Sequence, residues 1–248
     1  IKDVTAPKIL VAGCHSGQQS IESTSRFVGC QVNAVDLCLA NLAYAKRKVT
    51  GLGFTNLEHF QADILNLDQI EREFQVIECV IFLHHVKEAM AAWTALSGIL
   101  QPGDLMRIGL YSELARHRVV KIRDEISLLK LEKSVSDIRK CRQSVIELHK
   151  EHHQEILKLP DSFSISSLRD LIFHVHEDRS TIPKIQYCLN QLGLEFCSFD
   201  APNIVQHFKL AYTDVGDPYD LDKWNLYEKA NPNTFFGMYQ FWCQKIVL

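Results

Sequence analysis

ILVAGCHSGQQSIE, residues 9–22, joins an apolar run to a turn with two glycines and then to the start of a polar helix. The apolar run predicts a buried strand over 8–12, and the pattern after the turn predicts a helix over about 18–27. Glycines in such a turn let a ligand approach the backbone, and the helix that follows offers unpaired N–H groups at its N-terminus. The stretch therefore predicts a strand–turn–helix unit with a ligand site at the turn.

The same alternation of strand and helix continues to about residue 111. Near-continuous apolar strands separated by helices are typical of a parallel sheet that is covered on both faces. Together with a final pair of strands, the pattern predicts an α/β fold with a doubly wound, mostly parallel, seven-stranded, Rossmann-like sheet. Further strands are predicted over 31–35, 57–61, 74–83 and 105–111, and helices over 40–51 and 89–100.

The second half of the chain departs from this alternation. Residues 113–180 are long, charged and helical in pattern, which predicts a helical insertion or lid, and Ser164 is placed to cap a helix over 165–174. Helices are predicted over 182–192 and 221–230, with a proline-containing loop before the second. Strands over 194–199 and 238–247 are expected to pair as a C-terminal hairpin within 194–248. We expect one domain over 1–248, and a fragment of a longer protein, because the chain does not begin with methionine.

Composition excludes several classes of function. The 248 residues carry 27 basic and 30 acidic side chains, so we expect no sequence-independent binding to nucleic acid. No segment approaches the roughly 18 consecutive apolar residues that span a bilayer. The 8 cysteines include no Cys-x-x-Cys pair and several lie in apolar runs, which favours buried thiols and a cytoplasmic location.

Carboxylates follow two of the predicted strands. In doubly wound sheets ligands bind beyond the carboxyl ends of the strands. Asp36 ends the second strand, where it can accept hydrogen bonds from ribose hydroxyls, and Asp63 ends the third, where it suits the exocyclic amine of adenine. These acids and the glycine turn together predict a pocket for an adenosyl group.

The glycine spacing leaves other nucleotide sites as alternatives. Gly13 and Gly17 have no glycine three residues beyond them, so the dinucleotide fingerprint of an NAD-dependent dehydrogenase is less favoured. A P-loop is excluded, because no Gly-Lys-Ser/Thr follows.

Five motifs resemble those of class I S-adenosylmethionine-dependent methyltransferases. They are ILVAGCHSGQQSIE, AVDLCLANLAYAKRK, FQADILNL, FQVIECVIFLHH and LQPGDLMRIGLYSELAR, which together fall within about residues 8–116. RDLIFHVHEDR and NTFFGMYQFW resemble the carboxyl-terminal part of bacterial methyltransferases attached to tetratricopeptide repeats. The resemblance implies S-adenosyl-L-methionine as cofactor, S-adenosyl-L-homocysteine as its product, and a covalently linked N-terminal repeat domain as a partner.

The resemblance also implies a set of cofactor-binding residues. Those for the methionine part are Gly13, Ser16, Gly17 and Gln18. Asp36 would hold the ribose, and Leu37, Asp63 and Ile64 would contact the adenine. Residues Phe82 to His85 would flank the sulfonium and the acceptor. His15 stands where the family usually has glycine, Ile81 where it often has glycine, and Asp104 replaces a glycine of the turn before the fifth strand. These departures motivate the alternative of a non-catalytic binding or scaffold module.

The implied reaction is in-line transfer of a methyl group to a small-molecule or peptide acceptor. Because the leaving group is already positively charged, the protein mainly has to align the reacting atoms, with a base where the acceptor carries a proton. Candidate catalytic residues are His84, His85 and Tyr111, and candidate acceptor-binding residues are Glu113, Arg116, His174, Arg179 and Tyr239. No metal is expected, since a solvated polar face is the favoured interpretation of His149, His152 and His153 with Glu151 and Glu155.

Overall fold

The central strand, β1 (Lys8–Ala12), is an apolar segment with parallel neighbours on both sides. The computed structural model describes residues 5–69, 74–80, 82–173 and 177–247. Two positions singled out from the sequence, Ile81 and His174, lie outside the described residues. The remaining strands are β2 (Gln31–Asp36), β3 (Leu57–Gln61), β4 (Phe74–Cys79), β5 (Leu100–Ser112), β6 (Arg179–Ser180), β7 (Leu194–Phe199) and β8 (Tyr239–Lys245).

These strands form one mixed sheet in the order β3-β2-β1-β4-β5-β8-β7, with β6 paired to β5 beside this path. β1 to β5 pair in parallel, whereas β8 is antiparallel to both β5 and β7, which confirms the doubly wound sheet and the final hairpin. The predicted number of seven strands is wrong, because the sheet has eight. The additional strand, β6, is two residues long, too short for any alternation of polar and apolar residues to reveal it.

Helices cover the sheet, and several begin at the capping residues that the sequence offers. Ser164 accepts a hydrogen bond from the backbone N–H of Ser167, as predicted, and Thr181 and Asp220 cap later helices in the same way. The helices are α1 (Gln18–Arg26), α2 (Leu39–Gly51), α3 (Ala89–Gly98), α4 (His117–Leu128), α5 (Val135–Glu147), α6 (Glu151–Leu157), α7 (Ile165–Ile172), α8 (Ile182–Gln191), α9 (Pro202–Ala211) and α10 (Leu221–Ala230).

Three predicted segments differ from the structure. The fifth strand begins at Leu100 instead of residue 105. The fourth strand ends at Cys79 instead of residue 83, because the backbone turns into a short 3-10 helix at Leu83–His85. The segment between β7 and α10, predicted as a loop, contains α9, which has Pro202 in its first turn. Proline is tolerated there because the first N–H groups of a helix have no intrahelical partner.

Buried side chains form a core on each face of the sheet and a third core within the helical segment after β5. That third core includes Val119 and Ile122 of α4, Ile138 of α5 and Leu168 of α7. Leu114, Ile146 and Leu148 of the same segment are exposed and lie outside this core. The helices α4 to α7 therefore pack around apolar contacts of their own, between the end of β5 and β6.

β4 and β5 approach closely near their carboxyl ends. A Cβ atom at Gly109 would lie 2.2 Å from the carbonyl oxygen of Val80, so only glycine fits there without a shift of the backbone. The close approach brings the segment after β4 next to the end of β5. Both of these segments line the candidate site.

Candidate functional site

The turn after β1 adopts the left-handed backbone conformation at three positions. Gly13 and Gly17 have φ of 75° and 89°, and His15, between them, has φ of 49°. A Cβ atom at Gly13 would lie 2.6 Å from Cβ of Phe82, and one at Gly17 would lie 2.7 Å from Cβ of Ala45. The two glycines are therefore required because their backbone conformation is left-handed and because no room is left for a side chain. His15 adopts the same left-handed conformation, which costs a residue with a β-carbon about 1–2 kcal/mol.

Asp36, at the end of β2, holds this turn in place. Its Oδ2 accepts a hydrogen bond of 2.9 Å from the backbone N–H of His15, and its Oδ1 accepts one of 2.8 Å from that of Cys38. The residue is 8% exposed. Each carboxylate oxygen can accept more than one hydrogen bond, so Asp36 keeps acceptor capacity for ligand hydroxyl groups. It is therefore both a structural anchor of the turn and an oriented acceptor.

The predicted adenine-binding residues follow β2 and β3. The carboxylate of Asp63 accepts a 3.0 Å hydrogen bond from the N–H of Leu65, so it also caps the 3-10 helix Ile64–Gln69. The side chain of Ile64 is buried in the core, which leaves its backbone as the group that a ligand could contact. Leu37 is 64% exposed beside Asp36. This arrangement fits an adenine placed between an apolar side chain and the end of β3.

The α1 N-terminus completes the cofactor end of the candidate site. Gly17 is its N-cap and makes no side-chain capping bond, and the first turn carries no acidic residue. The leading N–H groups of this helix are thus available to an anionic group. The glycine turn, Asp36 and the uncapped N-terminus of α1 all fit a ligand in which an adenosine is joined to an amino acid.

A cavity of about 520 Å³ extends from this turn to the helices after β5. Six of the residues singled out from the sequence line it: His15, Ser16, Gln18, His85, Tyr111 and Arg116. The opposite wall comes from residues 159–171, including Asp161, and from the segment before β8, including Phe236. The volume is in the usual range for small-molecule sites, which is roughly 300–1,000 Å³.

The two histidines after β4 occupy different environments. His84 is fully buried, does not line the cavity, and packs against Tyr111 with a ring-centroid distance of 4.0 Å. Its backbone carbonyl accepts a 2.8 Å hydrogen bond from Asp178. His85 is partly exposed and lines the cavity. Of the pair, His85 is the one within reach of a ligand in the cavity.

Tyr111 lines the cavity, and its ring packs against two neighbouring side chains. The guanidinium of Arg116 lies 3.7 Å from the ring centroid, and His84 packs against the ring as well. Burial raises the pKa of the Tyr111 hydroxyl, and the carboxylates of Glu177 and Asp161 raise it further, against the opposing effect of Arg116. The phenol is therefore protonated at neutral pH and suits hydrogen bonding better than proton abstraction.

Glu177 joins the two arginines that flank Tyr111. Two guanidinium nitrogens of Arg116, Nε and Nη2, donate hydrogen bonds to the Glu177 carboxylate. Nη2 of Arg123, in α4, donates to the same carboxylate at 2.9 Å. The side chains of Glu177 and Arg116 are 2% and 4% exposed. This ion-pair cluster connects the end of β5, α4 and the segment before β6.

A second ion-pair cluster under the cavity was not predicted. Glu78 of β4 is fully buried and accepts hydrogen bonds from Arg107 of β5 at 3.1 Å and from Gln19 at 3.4 Å. Arg107 also contacts Asp200 and Gln240, each at 2.7 Å. Gln19, Arg107 and Gln240 line the cavity. The signal in the sequence was a glutamate inside the apolar strand FQVIECVIF, because a buried charge needs partners.

Three other predicted acceptor-binding residues that the structure describes, Glu113, Arg179 and Tyr239, do not line the cavity. Glu113 is exposed, and its backbone N–H donates to the carbonyl oxygen of Ser180. Arg179 lies in β6, paired with Tyr111. Tyr239 is fully buried, and its hydroxyl donates a hydrogen bond to Glu228. Packing in the core therefore accounts for the tyrosine at this position.

Comparisons with known proteins agree with this architecture. Residues 9–103 match a family model described as a methyltransferase domain. An uncharacterized protein of Synechococcus sp. is 30% identical over 128 residues, which are 51% of this chain and 31% of the relative. The chain thus spans about a third of the length of that curated relative.

Solved structures share the fold at low sequence identity. PKMT2 from Rickettsia typhi in complex with AdoHcy has a TM-score of 0.73 at 13% identity, over 98% of this chain and 49% of that one. The magnesium protoporphyrin IX methyltransferase ChlM from Synechocystis PCC 6803 with bound SAH has a TM-score of 0.54 at 12% identity, over 98% of this chain and 76% of that one. Among the described residues, no helix has the length and apolar character needed to cross a membrane.

Proposed function

We propose that the chain is a class I S-adenosylmethionine-dependent methyltransferase domain that transfers the cofactor's methyl group to a small-molecule or peptide acceptor by in-line displacement. The proposal depends on one observation: the glycine turn that Asp36 holds in place lies at one end of a cavity of about 520 Å³. Bound there, S-adenosyl-L-methionine supplies an electrophilic methyl group and leaves as S-adenosyl-L-homocysteine.

The chain's own residues divide into a cofactor end and an acceptor end. Asp36 would accept hydrogen bonds from the ribose, with Leu37, Asp63 and the backbone of Ile64 around the adenine. The methionine part would lie along Gly13, Ser16, Gly17 and Gln18 at the start of α1. Phe82 packs against the turn and so fixes its backbone.

At the acceptor end, His85 is the residue that we assign as a base for an acceptor that carries a proton. It lines the cavity, whereas His84 is buried against Tyr111 and supports that ring. Tyr111 would orient the acceptor through its protonated hydroxyl, and Arg116 would position Tyr111. In a crystal structure with S-adenosyl-L-homocysteine, we expect the sulfur to face the cavity on the side of His85. A sulfur atom directed away from His85 would contradict this assignment.

The proposal is tested by calorimetric titration with S-adenosyl-L-homocysteine. We expect Asp36→Asn to weaken binding by about 10- to 100-fold, because hydrogen bonds to a charged group contribute about 1.5–3 kcal/mol. Asp220→Asn is the matched control, since Asp220 also accepts from two backbone N–H groups but caps α10. This control should bind as the wild type does.

The same titration separates the alternatives. No binding of S-adenosyl-L-homocysteine by the wild type would favour a non-catalytic module, and tight binding of NAD instead would favour a dehydrogenase. Equal affinities of Asp36→Asn and Asp220→Asn would remove Asp36 from the cofactor site. A cytoplasmic location and a covalently linked repeat domain stay predictions.

A further inference from the structure

A cluster of two imidazoles and one carboxylate lies in the helices after β5. Nε2 of His152 is 2.9 Å from Oε1 of Glu125, and Nε2 of His153 is 2.7 Å from Oε2 of the same carboxylate. One ligand atom from each of the three residues lies within 4.8 Å of the other two. None of the three residues lines the cavity, so the cluster is separate from the site described above.

We propose that Glu125, His152 and His153 form a zinc site that joins α4 to α6. Imidazole nitrogen and carboxylate oxygen are both ordinary zinc donors, and two histidines with one glutamate leave a fourth tetrahedral position for water or another ligand. Zn²⁺ is favoured over Mg²⁺, which prefers an octahedral set of oxygen atoms.

The geometry of the cluster is close to what the ion requires. With bonds of about 2.0–2.2 Å, tetrahedral zinc holds its donors roughly 3.3 Å apart. The nitrogen–oxygen distances of 2.7 and 2.9 Å are to the two different oxygens of Glu125, so the side chains would have to shift until one of these oxygens and both nitrogens lie at that spacing. His153 is fully buried and Glu125 is anchored in α4, so two of the donors are already held by the packing of the helices.

Lys150 is the group that competes with the ion. Its ammonium lies 2.7 Å from Oε1 of Glu125, on the same oxygen that faces His152. The Lys150 side chain is 46% exposed. An exposed lysine loses little on leaving an ion pair, because such pairs contribute about 0–1 kcal/mol. The other nearby ion pair, between Arg118 and Glu155, does not involve the three donors.

A metal at this position would act on the helices next to the cavity. α6 contributes His152 and His153, and it is followed directly by Leu159 and Asp161, which line the cavity. Zinc would thus hold this wall against α4. This role is independent of the proposed methyl transfer.

The test is calorimetric titration of the chelator-treated, buffer-exchanged chain with ZnCl₂, together with thermal unfolding. We expect one equivalent of zinc to bind and to raise the Tm of the wild type, and MgCl₂ to have no effect. Glu125→Gln and His152→Gln should weaken zinc binding at least 100-fold. Lys150→Ala should strengthen it several-fold, because the competing ammonium is removed.

His149→Asn is the matched control. His149 is an exposed neighbour with φ of 48°, which asparagine tolerates, and its ring contacts Gln154 instead of Glu125. This variant should bind zinc as the wild type does. The proposal is overturned if the wild type binds no zinc, or if Glu125→Gln and His149→Asn bind it equally well.

Discussion

His15 shows how one side chain can depart from a motif without changing the local backbone. His15 lies in sequence between Gly13 and Gly17 and has φ of 49°, and its N–H donates to Asp36. The side chain is exposed, so the departure costs conformational energy and does not displace the core. The hydrogen bond to Asp36 and the flanking glycines are what hold the histidine in this conformation.

Replacing His15 with glycine should therefore stabilise the protein. We expect His15→Gly to raise the free energy of unfolding by about 0.5–1 kcal/mol, because relief of left-handed strain exceeds the entropy that glycine adds to the unfolded chain. Urea denaturation measures the change. Ser16→Gly, at a neighbouring exposed position without positive φ, should instead lower the stability. A loss of stability in both variants would contradict the argument.

Single residues were predictable where their place in a strand–turn–helix unit determined their role. Asp36 and the two glycines could be located because they directly follow apolar strands. Tyr239 and Glu113 could not be excluded, because whether a side chain faces a cavity or the core depends on packing between distant segments. Tyr239 points to Glu228 of α10, a contact that no local pattern reveals.

At the scale of elements, the carboxylate of Glu125 in α4 contacts two histidines of α6, a link that the spacing of residues in the sequence did not identify. The histidines near residue 150 suggested partners on their own helix, whereas Glu125 lies 27 positions before His152. Burial tends to raise the pKa of Glu125, but hydrogen bonds from Lys150, His153 and His152 outweigh this and lower it to about 2. The ionised carboxylate is thus favoured in the folded protein.

The contribution of Glu125 to stability should depend on pH. Because its pKa is lower in the folded state than the usual 4.5, the stabilisation is fully present above about pH 4.5 and is lost as pH falls towards 2. In zinc-free buffer, the difference in unfolding free energy between wild type and Glu125→Gln should shrink over this window. Urea denaturation at several pH values between 5 and 2 measures it. A difference that does not change with pH would show that the carboxylate's charge is not involved.

For the whole molecule, the strands of the sheet could be predicted from the sequence, whereas the positions of the helices and loops that cover the sheet could be predicted only in part. Apolar strands that alternate with helices leave few arrangements, which is why the parallel strands and the last hairpin were confirmed. β6 and α9 are not predictable from the sequence, because a two-residue strand has no periodicity and because a proline, here Pro202, occurs in loops as well as in the first turn of a helix. The cavity's far wall comes from residues 159–171, whose position depends on long-range contacts such as those of Glu177.

We expect Glu177 to be among the residues that contribute most to the stability of the folded protein. Glu177→Gln leaves Arg116, which is buried, and Arg123 without their counter-charge, and removal of one partner of a buried pair costs about 3–5 kcal/mol. We expect a loss of about 3 kcal/mol in urea denaturation, since Arg123 is partly exposed. Glu195→Gln, on the exposed side of β7, should change stability by less than about 0.5 kcal/mol. Similar effects of the two changes would contradict a central role for Glu177.

The position of β8 between β5 and β7 has a consequence for biosynthesis. During translation, residues 239–245 leave the ribosome after all the strands beside which they pair. Until then β5 and β7 each have an open hydrogen-bonding edge, which can pair with another nascent chain. Completion of the sheet therefore has to wait until β8, which follows all the other strands in the chain, has been synthesised.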